Sequence, residues 1–198
     1  MLIRFNLHCK FETMKKTFYI ILFFLAFSIS SDAQFYKSLL PNGEFSDSLT
    51  KIIVDFNTNF NLIQGQEMTP QLEMNVYQSK TSLPGALHCS IIRYHSRLDT
   101  SASWQAILYD GEDYKEAFKI YKDIFNQLKK SKIITADKKT AKFKGELQKP
   151  KESVRFASTE LILETTDLIY RNFFAQIQLN STIDGWEVQM NLINKYMY

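Results

Sequence analysis

Tyr114-Lys-Glu-Ala-Phe-Lys-Ile-Tyr-Lys-Asp-Ile-Phe-Asn-Gln-Leu128, followed by Lys129 and Lys130, decides the fold class. Ala117, Phe118, Tyr121, Ile124, Phe125 and Leu128 recur at helical spacing, while Lys115, Glu116, Lys119, Lys122 and Lys129 occupy the opposite side. That pattern predicts an amphipathic helix. Asp110, Glu112 and Asp113 stand at its start and Lys129, Lys130 and Lys132 at its end, the polarity that the helix dipole favours. A helix with one apolar stripe is stable only when the stripe covers another apolar surface. The flanking sequence supplies that surface as strands.

Downstream, three segments read as strands: Val154 to Glu164, Tyr170 to Asn180 and Trp186 to Asn194. Thr165 to Asp167 separates the first two, and Asp184-Gly185, a hairpin signal, separates the last two. Trp186, Val188, Met190 and Leu192 share one face and Glu187, Gln189 and Asn191 the other, so this sheet has one wet side. Upstream, Ala86 to Ser96 alternates, with Leu87, Cys89 and Ile91 on one face and His88, Ser90, Ile92 and Tyr94 on the other. It pairs across the Asp99 to Ser103 turn with a strand from Trp104 to Tyr109. Met74 to Gln78 reads as a short edge strand, Gln66 to Gln71 as a loop, and Ala136 to Ser153 as a charged connector.

A first helix is expected from about Asp47 to Gln64, on the stripe Leu49, Ile52, Ile53, Phe56, Phe60 and Ile63. Ser46 is placed as its N-cap and Gly65 as its C′ stop. The fold expected is α+β: an antiparallel sheet of about five strands with both helices on one face, in the order α-β-β-α-β-β-β. Ile53 to Asn57 loosely echoes Lys122 to Asn126, which leaves an αββ duplication open.

The amino-terminal region reads as an export signal. Lys15 and Lys16 precede Phe18 to Ile29, an apolar run of twelve residues, and Ser31-Asp32-Ala33 supplies a small-x-small exit. The run is shorter than the roughly 20 residues of a membrane span. Residues 1–13 then fit best as an over-long start ahead of Met14, a long n-region being the alternative. Cleavage is expected near Ala33-Gln34, leaving one domain over 34–198. Gln34 stands where a lipoprotein needs its lipid-bearing cysteine, so a soluble periplasmic or secreted product is expected rather than a lipoprotein. Signal peptides ending in Ala-Gln resemble those of exported Bacteroidota proteins; the likeness covers about twenty residues and implies a source, not an activity.

Loss of residues 1–33 takes the formal charge from +3 to near +1. A balance so close to neutral gives no electrostatic reason to expect a nucleic-acid partner. Cys89 is then the one cysteine left, and an exported chain without a disulfide depends on apolar burial.

Residues that carry chemistry are scattered. His88 and Cys89 point to opposite faces of a strand, as do His88 and His95, and zinc needs three or four convergent ligands. Cys89 is in phase with Leu87 and Ile91 and reads as a small core residue. Gly-x-Ser-x-Gly does not occur, and Ser101 or Ser103 with His95 and Asp99 make a polar turn rather than a triad. Neither catalytic residues, a metal site nor a cofactor is expected. Asp110, Glu112 and Asp113 are explained by helix capping. Trp104 and Trp186 each begin a strand; core packing is the default, and flooring a ligand pocket the alternative, with His88 and His95 as weaker ligand candidates.

The one compositional bias is Lys129 to Lys151, with nine lysines against Asp137 and Glu146. A solvated loop is its default reading; contact with an anionic membrane or envelope surface through Lys138, Lys139, Lys142 and Lys144 is the alternative. The function expected is therefore an exported, non-catalytic binding or interaction module. An envelope-surface protein, or an enzyme using dispersed residues such as His88, His95, Asp99 or Glu160, stands against it. Partner and oligomeric state are left open.

Overall fold

A computed structural model describes residues 43–70, 74–95 and 101–194. The export signal, its cleavage site, the start at Met14 and Asp99 lie outside the described residues. The elements run α1 (Gly43–Asp55), β1 (Gln64–Pro70), β2 (Met74–Ser79), β3 (His88–Tyr94), β4 (Ala102–Gly111), α2 (Tyr114–Lys130), β5 (Ile133–Ile134), β6 (Thr140–Lys144), β7 (Phe156–Glu164), β8 (Phe173–Ser181) and β9 (Trp186–Asn194). The nine strands form one sheet in the order β1-β2-β3-β4-β9-β8-β7-β6-β5, every neighbouring pair antiparallel.

The class α+β stands, but five strands become nine and the order becomes α-β-β-β-β-α-β-β-β-β-β. The strands missing from the sequence reading are at or beside the sheet's edges. The polar Gln66 to Gln71 stretch, expected as loop, falls largely in β1. Lys-rich β6 lies inside the expected connector, and its burial alternates strictly, with Ala141 and Phe143 inward and Thr140, Lys142 and Lys144 outward. Lysines beside an edge block pairing with another chain, so edge strands look like loops in sequence. Each helix is followed by an antiparallel meander whose last strand, β4 or β9, reaches the centre; the meanders have four and five strands, so neither half is the αββ unit expected.

Helix α2 keeps its predicted register. Asp113 is its N-cap, its carboxylate accepting from the backbone N–H of Lys115 at 2.7 Å and of Glu116 at 3.4 Å. Ala117, Ile120, Tyr121, Ile124, Phe125 and Leu128 are buried.

Helix α1 is displaced from its predicted span. It starts at Gly43, so Ser46 lies inside it, and the Ser46 hydroxyl donates to Ser131 Oγ at 3.2 Å. It ends at Asp55 because that buried carboxylate turns the chain: Oδ2 accepts from Ile63 N–H at 3.0 Å, and the other oxygen accepts from the Thr58 hydroxyl. A short 3-10 turn, Phe56–Thr58, and two left-handed residues, Asn59 (φ 57°) and Phe60 (φ 59°), follow. Left-handed backbone costs an aromatic residue about 1–2 kcal/mol, and complete burial of Phe60 offsets it. Phe56, Phe60 and Ile63 still pack against the core that receives α1, which is why the helical spacing runs past the helix end. Gly65 is not a helix stop. It lies in β1, where a Cβ would meet the Gln78 carbonyl oxygen at 2.7 Å, so glycine permits the close approach of β2. Arg93 fastens this corner, donating to the Asn59 carbonyl at 2.8 Å, to Asn61 Oδ1 at 2.6 Å and to Gln64.

One buried cluster joins Leu49, Ile52 and Ile53 of α1, the α2 stripe, and alternate residues of the strands, including Trp104, Ala106, Ala175, Ile177, Met190 and Leu192. The intervening residues of the central strands are amides. Gln105 donates to Gln189 Oε1 at 3.0 Å and to Asn191 Oδ1 at 3.1 Å, Gln189 to Gln178, and Gln178 to Gln176 Oε1 at 3.0 Å. Apart from Glu187, the wet side read from β9 is thus part of an uncharged amide network spanning β4, β9 and β8, whose members largely satisfy one another.

Candidate functional site

The two tryptophans have different fates. Trp104 pairs with Ile91 of β3 and Leu192 of β9, is fully buried, and donates its indole N–H to Ser79 Oγ at 2.9 Å. Ser79 Oγ in turn donates to the Thr81 carbonyl at 2.7 Å. Every polar group of this unit is used, and Trp104 belongs to the core. Trp186, at the start of β9, is partly exposed and lines an open recess of about 650 Å³.

Local structure builds that recess at one end of the sheet. Its walls are the β8–β9 turn (Ser181, Thr182, Ile183, Gly185) and the 3-10 turn Glu152–Val154 with its left-handed C-cap Arg155 (φ 60°). The turns are tied together, since Ser181 N–H donates to the Arg155 carbonyl at 2.9 Å and Thr182 N–H to the Gly185 carbonyl at 2.8 Å. Tyr114 packs tilted on Trp186 with ring centroids 4.8 Å apart, and its hydroxyl donates to the Pro150 carbonyl at 3.3 Å. Burial, with Glu152 nearby, raises the Tyr114 phenol above its ordinary range, so it remains a neutral donor. The lining thus comprises one guanidinium (Arg155), one carboxylate (Glu152), the hydroxyls of Ser153, Ser181 and Thr182, and an indole.

The other named residues do not join it. His88 and Glu160 sit on β3 and β7, four strand positions apart, hence about 19 Å apart at the usual strand spacing. His95 lies exposed just beyond β3. Among the described residues no three His, Cys, Asp or Glu side chains are grouped to hold a metal ion. Ser103 is buried in β4, apart from His95. Glu187 pairs with Asp110 across β9 and β4; burial, then the Asp110 charge, raises its carboxyl, and His88 partly opposes this.

Cys89 is 7% exposed, and burial pushes its thiol up, against a smaller opposite effect of a hydrogen bond to the Leu83 backbone. A buried thiol with a raised pKa is a poor nucleophile. Cys89 is expected to resist an aromatic disulfide reagent at pH 8 in the native protein and to react with it in denaturant. Native reaction within minutes would mean that β3 opens readily.

At the opposite end of the sheet, the lysine segment is ordered into a turn and β6. Lys139 pairs with Asp137 at 2.9 Å and Lys144 with Glu164 at 3.0 Å. The Thr135 hydroxyl, and then Lys139, hold the Asp137 carboxyl down to about 2. Lys138 takes the left-handed conformation at this turn (φ 63°), and Lys142 points outward from β6. Among the described residues no helix is long and apolar enough to cross a membrane.

The described residues therefore define an α+β protein: a nine-strand antiparallel sheet, two helices sharing its core, and a tryptophan-lined recess at the β8–β9 turn. Comparisons with known protein families, with curated proteins and with solved structures give no match to this chain.

Proposed function

We propose that the protein is an exported, non-catalytic binding module and that the Trp186 recess is its ligand seat. The observation that carries this is the lining itself: an accessible indole beside Arg155, Glu152 and three hydroxyls, around an open volume of about 650 Å³. Two opposite charges cancel, so the seat favours a ligand with no net charge. Hydroxyl, carboxylate and guanidinium groups hydrogen-bond in both directions, and an indole offers a flat apolar surface. A small neutral saccharide has the matching chemistry, with hydroxyls around its rim and C–H groups on one face.

Trp186 reports directly on this seat, because Trp104 is fully buried and hydrogen-bonded in the core. Titration with neutral mono- and oligosaccharides is expected to give a saturable change in tryptophan emission. Calorimetry is expected to show binding weakened about tenfold in Trp186→Ala and in Arg155→Gln, with both variants folded by far-ultraviolet circular dichroism and by a cooperative thermal transition. Saturation by amino acids but not by saccharides would replace the ligand class. No saturable response to either would remove the recess as a ligand seat.

A further inference from the structure

We propose that the far end of the sheet, formed by the turns around 135–139 and 165–171, docks on an anionic phospholipid bilayer with Leu168 and Ile169 entering its interface. These two aliphatic side chains are 80% and 54% exposed, on a turn that is firmly built. Asp167 Oδ1 accepts from Ile169 N–H at 3.0 Å, Tyr170 N–H donates to the Asp167 carbonyl at 3.2 Å, and Arg171 N–H to the Leu168 carbonyl at 3.1 Å. The next residue, Tyr170, is fully buried, its ring 5.9 Å from both Phe56 and Phe173. The core thus grips the turn from inside and holds Leu168 and Ile169 outward. Ile134, on the adjoining edge, is a further 45% exposed aliphatic residue.

Cations surround this apolar tip. Lys139 Nζ donates to Thr166 Oγ1 at 3.3 Å, tying the lysine turn to the aliphatic one. Segments 129–144 and 164–171 together hold seven lysines and Arg171 against Asp137, Glu164 and Asp167, a larger positive excess than the +3 of the entire chain. Positive charge is therefore concentrated at this end. Apolar residues at the tip and lysines around them match the two layers of an anionic membrane surface, acyl boundary and headgroups. A second copy of the chain would set like charges against each other. Among the described residues no exposed aromatic side chain accompanies these lysines, which disfavours a single-stranded nucleic acid. This end lies at the start of β8 and the Trp186 recess at its finish, about 27 Å away along the strand, so neither reading depends on the other.

The test uses the full chain, with wild type and variants prepared identically so that all share the same amino terminus. Co-sedimentation with phosphatidylcholine vesicles containing 30% phosphatidylglycerol is expected, with little binding to phosphatidylcholine alone. Leu168→Ser with Ile169→Ser should weaken binding at least tenfold, and so should Lys138→Glu with Lys142→Glu; all four positions are exposed, so folding is retained. Raising salt from 0.05 to 0.5 M should reduce binding of the wild type. Absence of binding to the anionic vesicles, equal binding to neutral ones, or an unchanged serine double variant each overturns the proposal. Retention on heparin without vesicle binding assigns the patch to a soluble polyanion and overturns it equally.

Discussion

Trp104→Ala is expected to lower the free energy of unfolding by about 3–5 kcal/mol, measured as the shift of the urea midpoint at constant slope. The side chain is fully buried in β4, at the middle of the sheet, between Ile91 and Leu192. Truncation leaves a cavity where both meanders meet and removes the indole N–H from Ser79 Oγ, which keeps only its bonds to the Thr81 backbone. A small domain has roughly 5–15 kcal/mol in total, so this single change takes a large share of it. Trp104→Phe retains much of the apolar area while losing the hydrogen bond, and should cost less than half as much. A loss below 1 kcal/mol for the alanine variant would mean that β4 is not the packed centre described here.

Gly185→Ala comes next in size, with about 2–3 kcal/mol expected. Gly185 has φ +145°, a backbone region that side chains rarely enter. An added Cβ would also lie 2.4 Å from the Gly111 carbonyl oxygen and 2.8 Å from its carbon, both backbone atoms that cannot swing away. The β8–β9 turn must shift, and with it the wall of the recess beside Trp186. Thermal unfolding reads the loss of stability, and near-ultraviolet circular dichroism reads the changed setting of Trp186. Wild-type stability in this variant would refute the close approach of β4 and the β8–β9 turn.

The contrast between these two sites marks how far sequence carries. Trp104 and Trp186 look alike in sequence, each opening an alternating segment. What separates them is position in the sheet: Trp104 has strands on both sides and both helices' core beneath it, whereas Trp186 lies at the last paired position, where the chain has just turned. Arg155 and Glu152, the charged members of the recess, carried no signal beyond their place near a charged connector. Only the packing of that connector against the β8–β9 turn brings them to Trp186. The amide network had a partial signal, since Gln189 and Asn191 fall on the wet side of β9. Its continuation through Gln105, Gln176 and Gln178 depends on cross-strand register.

By itself the sequence determined what depends on neighbours a few residues away: the stripe of α2 and its acidic start, the presence of strands within β3, β4 and β7 to β9, the burial of Cys89 and the turn at Asp184-Gly185. Side-chain periodicity and capping are local properties, so they are legible without the fold. Tertiary structure decided the rest: that α1 stops at Asp55, that polar β1 and lysine-rich β6 extend the sheet, and which tryptophan meets solvent. Each of those outcomes is set by a partner distant in the chain, such as β2 beside β1, β7 beside β6, or Arg93 on the turn after α1, and a segment's own pattern carries no record of the neighbour that completes it.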